Sequence, residues 1–377
     1  MTAASLRSGH MNASNNLLPR VALVGPLPPP SGGMANQCLQ LMQLLNAEGV
    51  QVEMVRTNLP YRPAWVGNLP LLRAVFRLVP YLINLWRSAG RVEVMHLLAN
   101  SGWAWHLFAT PAVIIARMRS VPIIVNYRGG GADAFLAQAP SHVLKMLERA
   151  ALCVTPSVFL QRVFIKHGLI STVIPNIIDL TRFAPGPPRA FGTAPHLVVT
   201  RNLELIYDIA TAIRAFSRIQ ATYGGARLTI AGTGPELTNL RVLVTTLNLG
   251  DAVHFSGGIE NTCMPDLYAS ADCMLNSSTV DNMPIAILEA FASGVPVVST
   301  SAGGIPDMVA HGVNGLLVPV GDDRAMAREV LRVLQHPKLA SELRLAGLQE
   351  AQKYAWPQVR ARWLDSYSQL AVNRSVL

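Results

Sequence analysis

The stretch NSSTVDNMPIAILEAFASGVPVVSTSAGGIPD, residues 276–307, decides the fold of this chain. Its pattern predicts a short strand, a polar loop, an apolar helix from Pro284 to Ala292, a second strand and a loop with Gly303 and Gly304. Proline is favoured at the first position of a helix, where the N–H that it lacks would have no helical partner. The helix would aim its free amides and the positive end of its dipole at the polar loop, an arrangement that binds phosphate without a metal. The two glycines would let the second loop approach closely.

Outward from this stretch, strand and helix patterns alternate along the whole chain. In the first half the sequence predicts strands at 20–24, 50–55, 92–97 and 122–125. In the second half it predicts strands at 196–200, 227–231, 253–255, 273–276 and 297–300. Helical patterns separate them. This alternation of strands and helices predicts an α/β protein with two Rossmann-like, doubly wound domains that face a ligand cleft.

The segment 184–195, APGPPRAFGTAP, is dense in proline and glycine and is the best candidate for a linker between the domains. We therefore expect a disordered polar tail at 1–19, an N-terminal domain at 20–183, the linker at 184–195, a C-terminal domain at 196–355 and a final helix at 356–377. The tail lacks the apolar core of a signal peptide, and no stretch offers the ~20 uninterrupted apolar residues of a spanning helix. We expect a cytoplasmic protein, either soluble or peripheral on the inner face of the membrane.

The composition narrows the possible partners. The 377 residues carry a formal charge of +9, which favours phosphate-bearing partners such as nucleic acid, sugar nucleotides or anionic lipid headgroups. The sequence contains no recognisable nucleic-acid-binding module, so we expect no nucleic acid partner. Its cysteines are Cys38, Cys153, Cys263 and Cys273. Their wide spacing supports neither a metal site nor a disulfide framework, and buried reduced thiols fit a reducing compartment.

Residues 281–307 resemble the signature of the retaining family 4 glycosyltransferases (group 1), whose members share the GT-B fold. An acidic residue at 281 is followed by seven residues and then by Glu289, and the Gly303-Gly304 loop comes later. Further motifs of the resemblance lie at 32–33, 174–183, 231–235 and 255–257. The resemblance therefore covers nearly the whole chain.

The resemblance implies a retaining, metal-independent transfer of a sugar from a nucleoside-diphosphate sugar to a glycan or lipid-linked acceptor, in polysaccharide or glycolipid synthesis. No cofactor besides this donor substrate is implied. The N-terminal domain would hold the acceptor, the C-terminal domain the donor, and the last helix would pack back on the N-terminal domain. Glu289 would accept hydrogen bonds from the ribose hydroxyls, Asp281 would contact the transferred sugar, and Arg201 would bind the diphosphate. The other donor-binding positions implied are Asn282, Met283, Pro284, Gly257, Gly232, Gly32 and Gly33.

Simpler interpretations of these acidic residues stay open. Glu289 could be an ordinary exposed helix residue, although its apolar neighbours in the predicted helix argue against this. Asp281 could be a helix-capping residue, because it lies just before that helix. Asp322 and Asp323 precede another predicted helix and are interpreted as capping residues, not as a metal motif.

The chain departs from the family pattern at the diphosphate clamp. The family usually has Glu where Asp281 stands, and Tyr207-Asp208 occupy the place of a Lys-Gly pair whose lysine holds the diphosphate. Arg128, which follows a predicted strand, is our candidate to supply positive charge at the cleft or to orient the acceptor. The alternative is a glycine-rich turn with a solvated arginine. His96 ends another predicted strand and is interpreted as a core histidine.

The segment from Trp65 to Arg91 combines large apolar residues with four arginines and contains no acidic residue. Arg73 and Arg77 lie one helical turn apart, which leaves the apolar residues for another face. The pattern fits a helix that lies on an anionic membrane surface. It also fits a core helix with its arginines on the solvent side.

Two rival functions stay open at this point. A nucleotide-sugar epimerase or hydrolase of the same fold would bind the same donor without an acceptor. A non-catalytic sugar-nucleotide-binding protein would keep the fold, and the missing lysine and the shorter Asp281 favour it.

Overall fold

A computed structural model gives the fold of the protein and describes residues 18–375 except 31, 62–69, 187–191 and 193. Most of the predicted tail and much of the predicted linker lie outside the described residues, so the division of the chain into domains stays a prediction. The described residues form two parallel sheets of six strands each, which confirms the predicted α/β architecture.

The first sheet belongs to the N-terminal half of the chain. Its strands are β1 (Val21–Gly25), β2 (Val52–Arg56), β3 (Val94–Ala99), β4 (Ile123–Tyr127), β5 (Leu152–Thr155) and β6 (Thr172–Val173). They are parallel, in the order β2-β1-β3-β4-β5-β6. All residues of β1, β3 and β4 are buried, because helices cover both faces of a parallel sheet. This burial explains why these strands are mostly apolar in the sequence, with His96 in β3 and Asn126 in β4 as buried polar residues.

The α-helices described in this half are α1 (Gly33–Ala47), α2 (Pro70–Ala89), α3 (Thr110–Met118), α4 (Ala132–Gln138), α5 (Ser141–Glu148) and α6 (Val158–Lys166). Helices α2, α3, α5 and α6 share one apolar core on one face of the sheet. Helix α1 packs on the opposite face through Cys38, Leu41 and Leu45, which are all buried.

The second sheet repeats the same architecture. Its strands are β7 (His196–Val199), β8 (Arg227–Ala231), β9 (Val253–Gly257), β10 (Cys273–Asn276), β11 (Val297–Thr300) and β12 (Leu316–Val318). They are parallel, in the order β12-β11-β10-β7-β8-β9. The helices of this half are α7 (Ile209–Thr222), α8 (Leu237–Thr246), α9 (Met264–Ala269), α10 (Ile285–Ala292), α11 (Asp323–Gln335), α12 (Pro337–Gln352) and α13 (Trp356–Ser375).

The predicted helix boundaries needed two corrections. Helix α10 begins at Ile285 and not at Pro284, because Pro284 has a ψ of 116° and stands just outside the helix as its N-cap. For α7 the apolar pattern of the sequence predicts a start at Tyr207, but the helix begins at Ile209, because Tyr207 ends a short 3-10 turn. The predicted cap at Asp322 is confirmed, since its carboxylate accepts a hydrogen bond of 2.8 Å from the Ala325 amide.

Helix α13 leaves the second half of the chain and packs on the first sheet, beside α1. Its Trp363 and Tyr367 are buried there, with Trp363 stacked on His96 at 4.6 Å between ring centroids. The Nδ1 atom of His96 lies 2.7 Å from the Tyr367 hydroxyl, and its Nε2 atom lies 3.1 Å from Asn126 Nδ2. Burial, together with the charge of Arg128, lowers the pKa of His96 to about 3. His96 is therefore a neutral core histidine, as the sequence predicts.

Helix α2 packs on the sheet through Tyr81 and Leu85, which are fully buried. Its opposite side exposes large apolar residues: Val75, Phe76, Val79, Leu82, Ile83 and Trp86. The side chain of Arg73 and residues 65–69 lie outside the described residues. One side of α2 therefore belongs to the core, and the other side presents an apolar face to the surface. The predicted contact of this face with a membrane stays a prediction. No helix in the described part of the chain has the length and apolarity that crossing a bilayer needs.

Candidate functional site

A cavity of about 290 Å³ lies in the cleft between the two sheets, at the carboxyl ends of their strands. Both halves of the chain contribute to its wall, as expected for a ligand site in this architecture. The residues that line it include three glycines, two arginines and a glutamate: Gly32, Gly33, Gly232, Arg182, Arg201 and Glu289. All but Arg182 belong to the site that the sequence predicts.

The amino ends of α1 and α10 approach each other across this cavity. Gly32 is the N-cap of α1, and a Cβ atom on Gly33 would lie 3.6 Å from the Ile285 side chain at the start of α10. Neither helix has a side chain that caps its first amides. Unpaired amides and the positive ends of two helix dipoles therefore converge here, which favours an anionic ligand.

Two glycines allow the close packing of the loops behind the site. A Cβ atom on Gly304 would lie 2.1 Å from the Asn282 carbonyl oxygen, and one on Gly232 would lie 2.0 Å from the Arg201 carbonyl oxygen. Both distances are far below van der Waals contact. The Gly304 amide also donates a 2.7 Å hydrogen bond to the Asp281 carbonyl. The close approach predicted for the Gly303-Gly304 loop is confirmed.

Glu289 lies in the first turns of α10 and lines the cavity. Its Oε2 atom lies 3.0 Å from the hydroxyl of Tyr268, which is fully buried and also lies 2.7 Å from Thr200 Oγ1. Burial raises the pKa of Glu289 to about 7, although the Tyr268 hydroxyl and the charges of Arg182 and Arg201 oppose the rise. Glu289 is therefore a half-buried carboxyl group that the Tyr268 hydroxyl contacts, and not an ordinary exposed helix residue.

Arg201 is the centre of a compact charged cluster. Its guanidinium contacts the Asp281 carboxylate, and both side chains are about seven-eighths covered, with 13% and 14% exposed. The guanidinium also lies over the ring of Tyr207, 4.1 Å from its centroid. Burial raises the pKa of Asp281, although Arg201 and the amides of Asn282 and Met283 oppose the rise. Asp281 therefore orients Arg201, while its predicted contact with the sugar stays a prediction.

The structure explains the Tyr207-Asp208 departure from the family pattern. Asp208 has φ 39° and ψ 52°, a left-handed conformation that glycine adopts most easily and that Asp tolerates better than most residues. Its carboxylate compensates by capping α7, with a 2.6 Å hydrogen bond from the Thr211 hydroxyl. Tyr207 packs its ring under Arg201 and brings no cation to the cavity.

A second cation at the cavity comes from Arg182. This residue lies in the motif at 174–183, but it is not among the predicted site residues. Its Nη2 atom donates a 2.9 Å hydrogen bond to Asn261 Oδ1, and its Nε atom is buried without a partner. Its charge acts on Glu289, whose pKa it lowers. The motif at 174–183 was the available signal, but nothing in the sequence shows that Arg182 reaches residues 79 positions away.

Arg128 lies beside the cleft, and its predicted role toward the acceptor stays a prediction. It does not line the cavity, and its Nη1 atom donates a 2.7 Å hydrogen bond to Asn176 Oδ1. Asn176 Nδ2 donates in turn to the Met283 carbonyl at 2.9 Å, and Asn282 Nδ2 donates to the Gly129 carbonyl at 2.7 Å. Burial lowers the pKa of Arg128 to about 10, so the side chain stays charged at neutral pH. Arg128 therefore contacts Asn176, which joins the two halves of the chain beside the cleft, and it is not a freely solvated arginine.

The other predicted donor-binding residues surround the cavity without lining it. Asn282 and Met283 are buried, and Pro284 caps α10. The Gly257 carbonyl accepts a 2.8 Å hydrogen bond from the Gly232 amide, and its neighbour Gly258 lines the cavity instead. Their predicted contacts with a donor stay predictions.

The chain is similar to known proteins that transfer sugars. Residues 187–349 match the family model described as "Glycosyl transferases group 1". The N-acetyl-alpha-D-glucosaminyl L-malate synthase of Bacillus anthracis is 34% identical over 38% of this chain and 37% of that protein. A GDP-mannose-dependent alpha-(1-6)-phosphatidylinositol monomannoside mannosyltransferase of Mycobacterium tuberculosis is 30% identical over 52% of this chain and 54% of that protein. The chain thus spans only about a third to a half of the length of these two curated relatives.

Solved structures resemble the whole described fold. Sucrose-phosphate synthase from Thermosynechococcus elongatus has a TM-score of 0.75 and 20% identity, with 94% of this chain and all of that chain covered. Anabaena Alr3699/HepE in complex with UDP and glucose has a TM-score of 0.73 and 18% identity, with 93% and 99% covered. At this identity the likeness shows the fold, which is the two-domain GT-B architecture.

Proposed function

We propose, from the premise that residues 187–349 belong to the group 1 glycosyl transferases, that the protein is a glycosyltransferase. It transfers a sugar from a nucleoside-diphosphate sugar to a glycan or lipid-linked acceptor, in polysaccharide or glycolipid synthesis. The mannosyltransferase named above uses GDP-mannose and a phosphatidylinositol monomannoside by its own description, which supports this substrate class.

One observation carries the proposal: a held carboxyl group, two cations and two helix amino ends line a single cavity. Glu289 lines the cavity and would accept hydrogen bonds from the ribose hydroxyls. Arg201, Arg182 and the free amides of α1 and α10 supply the positive field that a diphosphate needs. The combination fits a sugar nucleotide better than a simple anion, because a simple anion would not need the carboxylate.

The same groups would assist the chemistry. When the bond between the sugar and the diphosphate breaks, negative charge grows on the diphosphate, and Arg201, which lines the cavity, would stabilise that charge. A fixed donor of this kind is worth on the order of 100-fold or more in rate. We assign a retaining, metal-independent reaction that needs no cofactor besides the donor. The family resemblance supports retention, and the two arginines support the absence of a catalytic metal.

We further propose that the protein is cytoplasmic and lies on the inner face of a membrane through residues 65–91. The described part of this segment supports the assignment, because α2 exposes 54% of Val75 and 42% of Trp86. A protein that meets only water seldom presents such a row of large apolar side chains. An acceptor carried by a lipid would then be delivered at the surface where the enzyme sits.

The donor site is tested by thermal stabilisation with a panel of nucleoside diphosphates and nucleotide sugars. One base should raise the melting temperature of the wild type, and Glu289→Ala should lose most of the rise. Glu342→Ala, which removes an exposed glutamate of α12, serves as the matched control and should keep it. If no nucleotide stabilises the wild type, the donor-site assignment is wrong.

Turnover separates the rival functions. A transferase releases nucleoside diphosphate faster when acceptor is present, a hydrolase releases it without acceptor, and a binding protein releases none. The position of Tyr207 in place of the family lysine is the observation that favours the binding protein. Unchanged turnover in excess chelator supports metal independence, and the anomeric proton coupling of the product distinguishes retention from inversion.

A further inference from the structure

A second cavity, also of about 290 Å³, lies between α3 and α5 on the N-terminal half of the chain. Its floor is apolar and includes Val113, Val121 and Ile123, which are all at least nine-tenths buried. Its volume is close to the lower end of the roughly 300–1,000 Å³ range that is typical of ligand cavities. Nothing in the proposed transfer reaction uses this cavity.

The cavity lies at the opposite edge of the sheet from the donor cleft. Ile123 is the first residue of β4, and Ala151 comes just before β5, so the cavity opens at the amino ends of these strands. The other end of β4 leads to Arg128 beside the cleft. At ~3.3 Å per residue, the length of β4 places the two sites roughly 16 Å apart or more. The second cavity is therefore a separate site.

Positive charge surrounds this apolar cavity without any acidic counterpart. Arg117, Lys145 and Arg149 line it, together with His142, and no acidic residue does. Among the ion pairs of the described residues, none includes these three cations. Each lies near the end of its helix, where the dipole favours a cation. The dipole explains each charge, but it does not explain why the charges enclose an apolar cavity.

The cavity opens on the same outer surface as the apolar side of α2. Ile114 of α3 lines the cavity and is 44% exposed, and Met118 one turn later is 65% exposed. Arg119 at the end of α3 stacks over the Trp86 ring of α2 at 4.8 Å, which ties the two helices together. The exposed apolar residues of α2 and α3 therefore lie on two neighbouring helices, one of which lines the cavity.

We propose that this cavity binds one phospholipid of an anionic bilayer, with part of an acyl chain on the apolar floor and the phosphate among Arg117, Lys145 and Arg149. An anionic amphiphile matches both halves of the site, whereas an inorganic anion would leave the apolar floor unused. The proposal deepens the proposed membrane association and does not depend on the donor chemistry. The lipid site would fix how the N-terminal half of the chain lies on the membrane.

The test is co-sedimentation of the full chain with vesicles of phosphatidylcholine alone or with 30% phosphatidylglycerol. We expect binding to the anionic vesicles only. The double variant Lys145→Ala/Arg149→Ala should bind them about 10-fold or more weakly, because each cation near an anionic surface contributes several-fold. The matched control is Arg324→Ala/Arg328→Ala on α11, which removes the same charge from another exposed surface. The control should bind as the wild type does.

Ala151→Phe tests the apolar half of the site, because the larger side chain would fill the cavity. We expect it to weaken vesicle binding several-fold although no charge changes. Equal losses in the two double variants would show that only total charge matters and would overturn the proposal, as would unchanged binding in Ala151→Phe. Thermal stabilisation by the nucleotide reports the donor site independently, and it should persist in all variants. Its failure in the wild type would contradict the proposed function and leave the lipid result standing.

Discussion

At the scale of single residues, Glu289 makes the stability of the ligand-free protein depend on pH. Its folded pKa of about 7 lies above the ordinary value of 4.5, so between these values the folded state holds a proton that the unfolded state has lost. The free energy of unfolding should therefore fall as pH rises from 5 to 8. Glu289→Gln should remove this part of the fall, on the order of 2 kcal/mol, as measured by urea denaturation at both pH values.

The exposed residue Glu148 supplies the control for this measurement. Glu148→Gln makes the same chemical change on the surface and should leave the pH dependence as it is in the wild type. Identical pH profiles for Glu289→Gln and the wild type would contradict the environment assigned to Glu289.

Nucleotide affinity should move in the other direction and rise with pH through about 7, because the ionised carboxylate is the better acceptor for ribose hydroxyls.

Arg182 is the residue that we expect to replace part of the missing lysine. Arg182→Ala should weaken nucleoside-diphosphate binding by about 10-fold or more in calorimetry, the range for a lost charge-assisted hydrogen bond. The variant should also raise the pKa of Glu289 further, because a neighbouring positive charge is gone. Arg360→Ala, which removes an arginine from α13, is the comparison and should change neither quantity. Full affinity in Arg182→Ala would exclude it from the clamp.

At the scale of elements, the start of α10 depends on the loop that carries Gly304. Gly304→Ala would place a Cβ atom 2.1 Å from the Asn282 carbonyl oxygen, so the loop or the helix start must move. We expect a loss of about 2 kcal/mol or more in the free energy of unfolding, together with weaker nucleotide stabilisation. Gly250→Ala has open space around the new methyl group and should be nearly neutral in both assays.

The docking of α13 gives a second prediction at this scale. Tyr367→Phe removes the hydroxyl that lies 2.7 Å from His96 Nδ1 and leaves that buried nitrogen without its partner. Such a loss costs about 1–3 kcal/mol. Thermal unfolding should show it, whereas Tyr223→Phe, at a half-buried tyrosine, should shift the melting temperature much less. Equal shifts in the two variants would mean that the bond to His96 contributes little.

At the scale of the whole molecule, Asn176 connects the two halves of the chain beside the cleft. It accepts from Arg128 and donates to the Met283 carbonyl, so Asn176→Ala breaks both contacts. We expect a larger radius of gyration in solution scattering and weaker nucleotide binding. Asn239→Ala, which removes a local hydrogen bond on α8, should leave the radius of gyration unchanged. A compact Asn176→Ala variant would show that other contacts suffice to hold the cleft.

The whole molecule also shows what sequence patterns can predict. Strands β8, β10 and β11 have the predicted bounds. Strands β10 and β11 are buried along their whole length, as expected for strands of a parallel sheet that is covered on both faces. Glu289 was recognisable because its motif is local. Arg182, Asn176 and Tyr268 were not recognised, since their partners lie 79, 107 and 21 positions away and only folding brings them together. The sequence places Arg128 at the cleft because it follows β4. It does not show that the side chain bonds Asn176, because that contact forms only on folding.

The position of α13 has a consequence for the order in which the chain is made. One face of the first sheet is covered by Trp363 and Tyr367, which leave the ribosome long after β6 ends at Val173. At ~5–20 residues per second, that delay is roughly 10–40 s. During this time the nascent first half exposes an apolar surface, which chaperones can bind. Synthesis of the second half thus sets the earliest moment at which the first half can be complete.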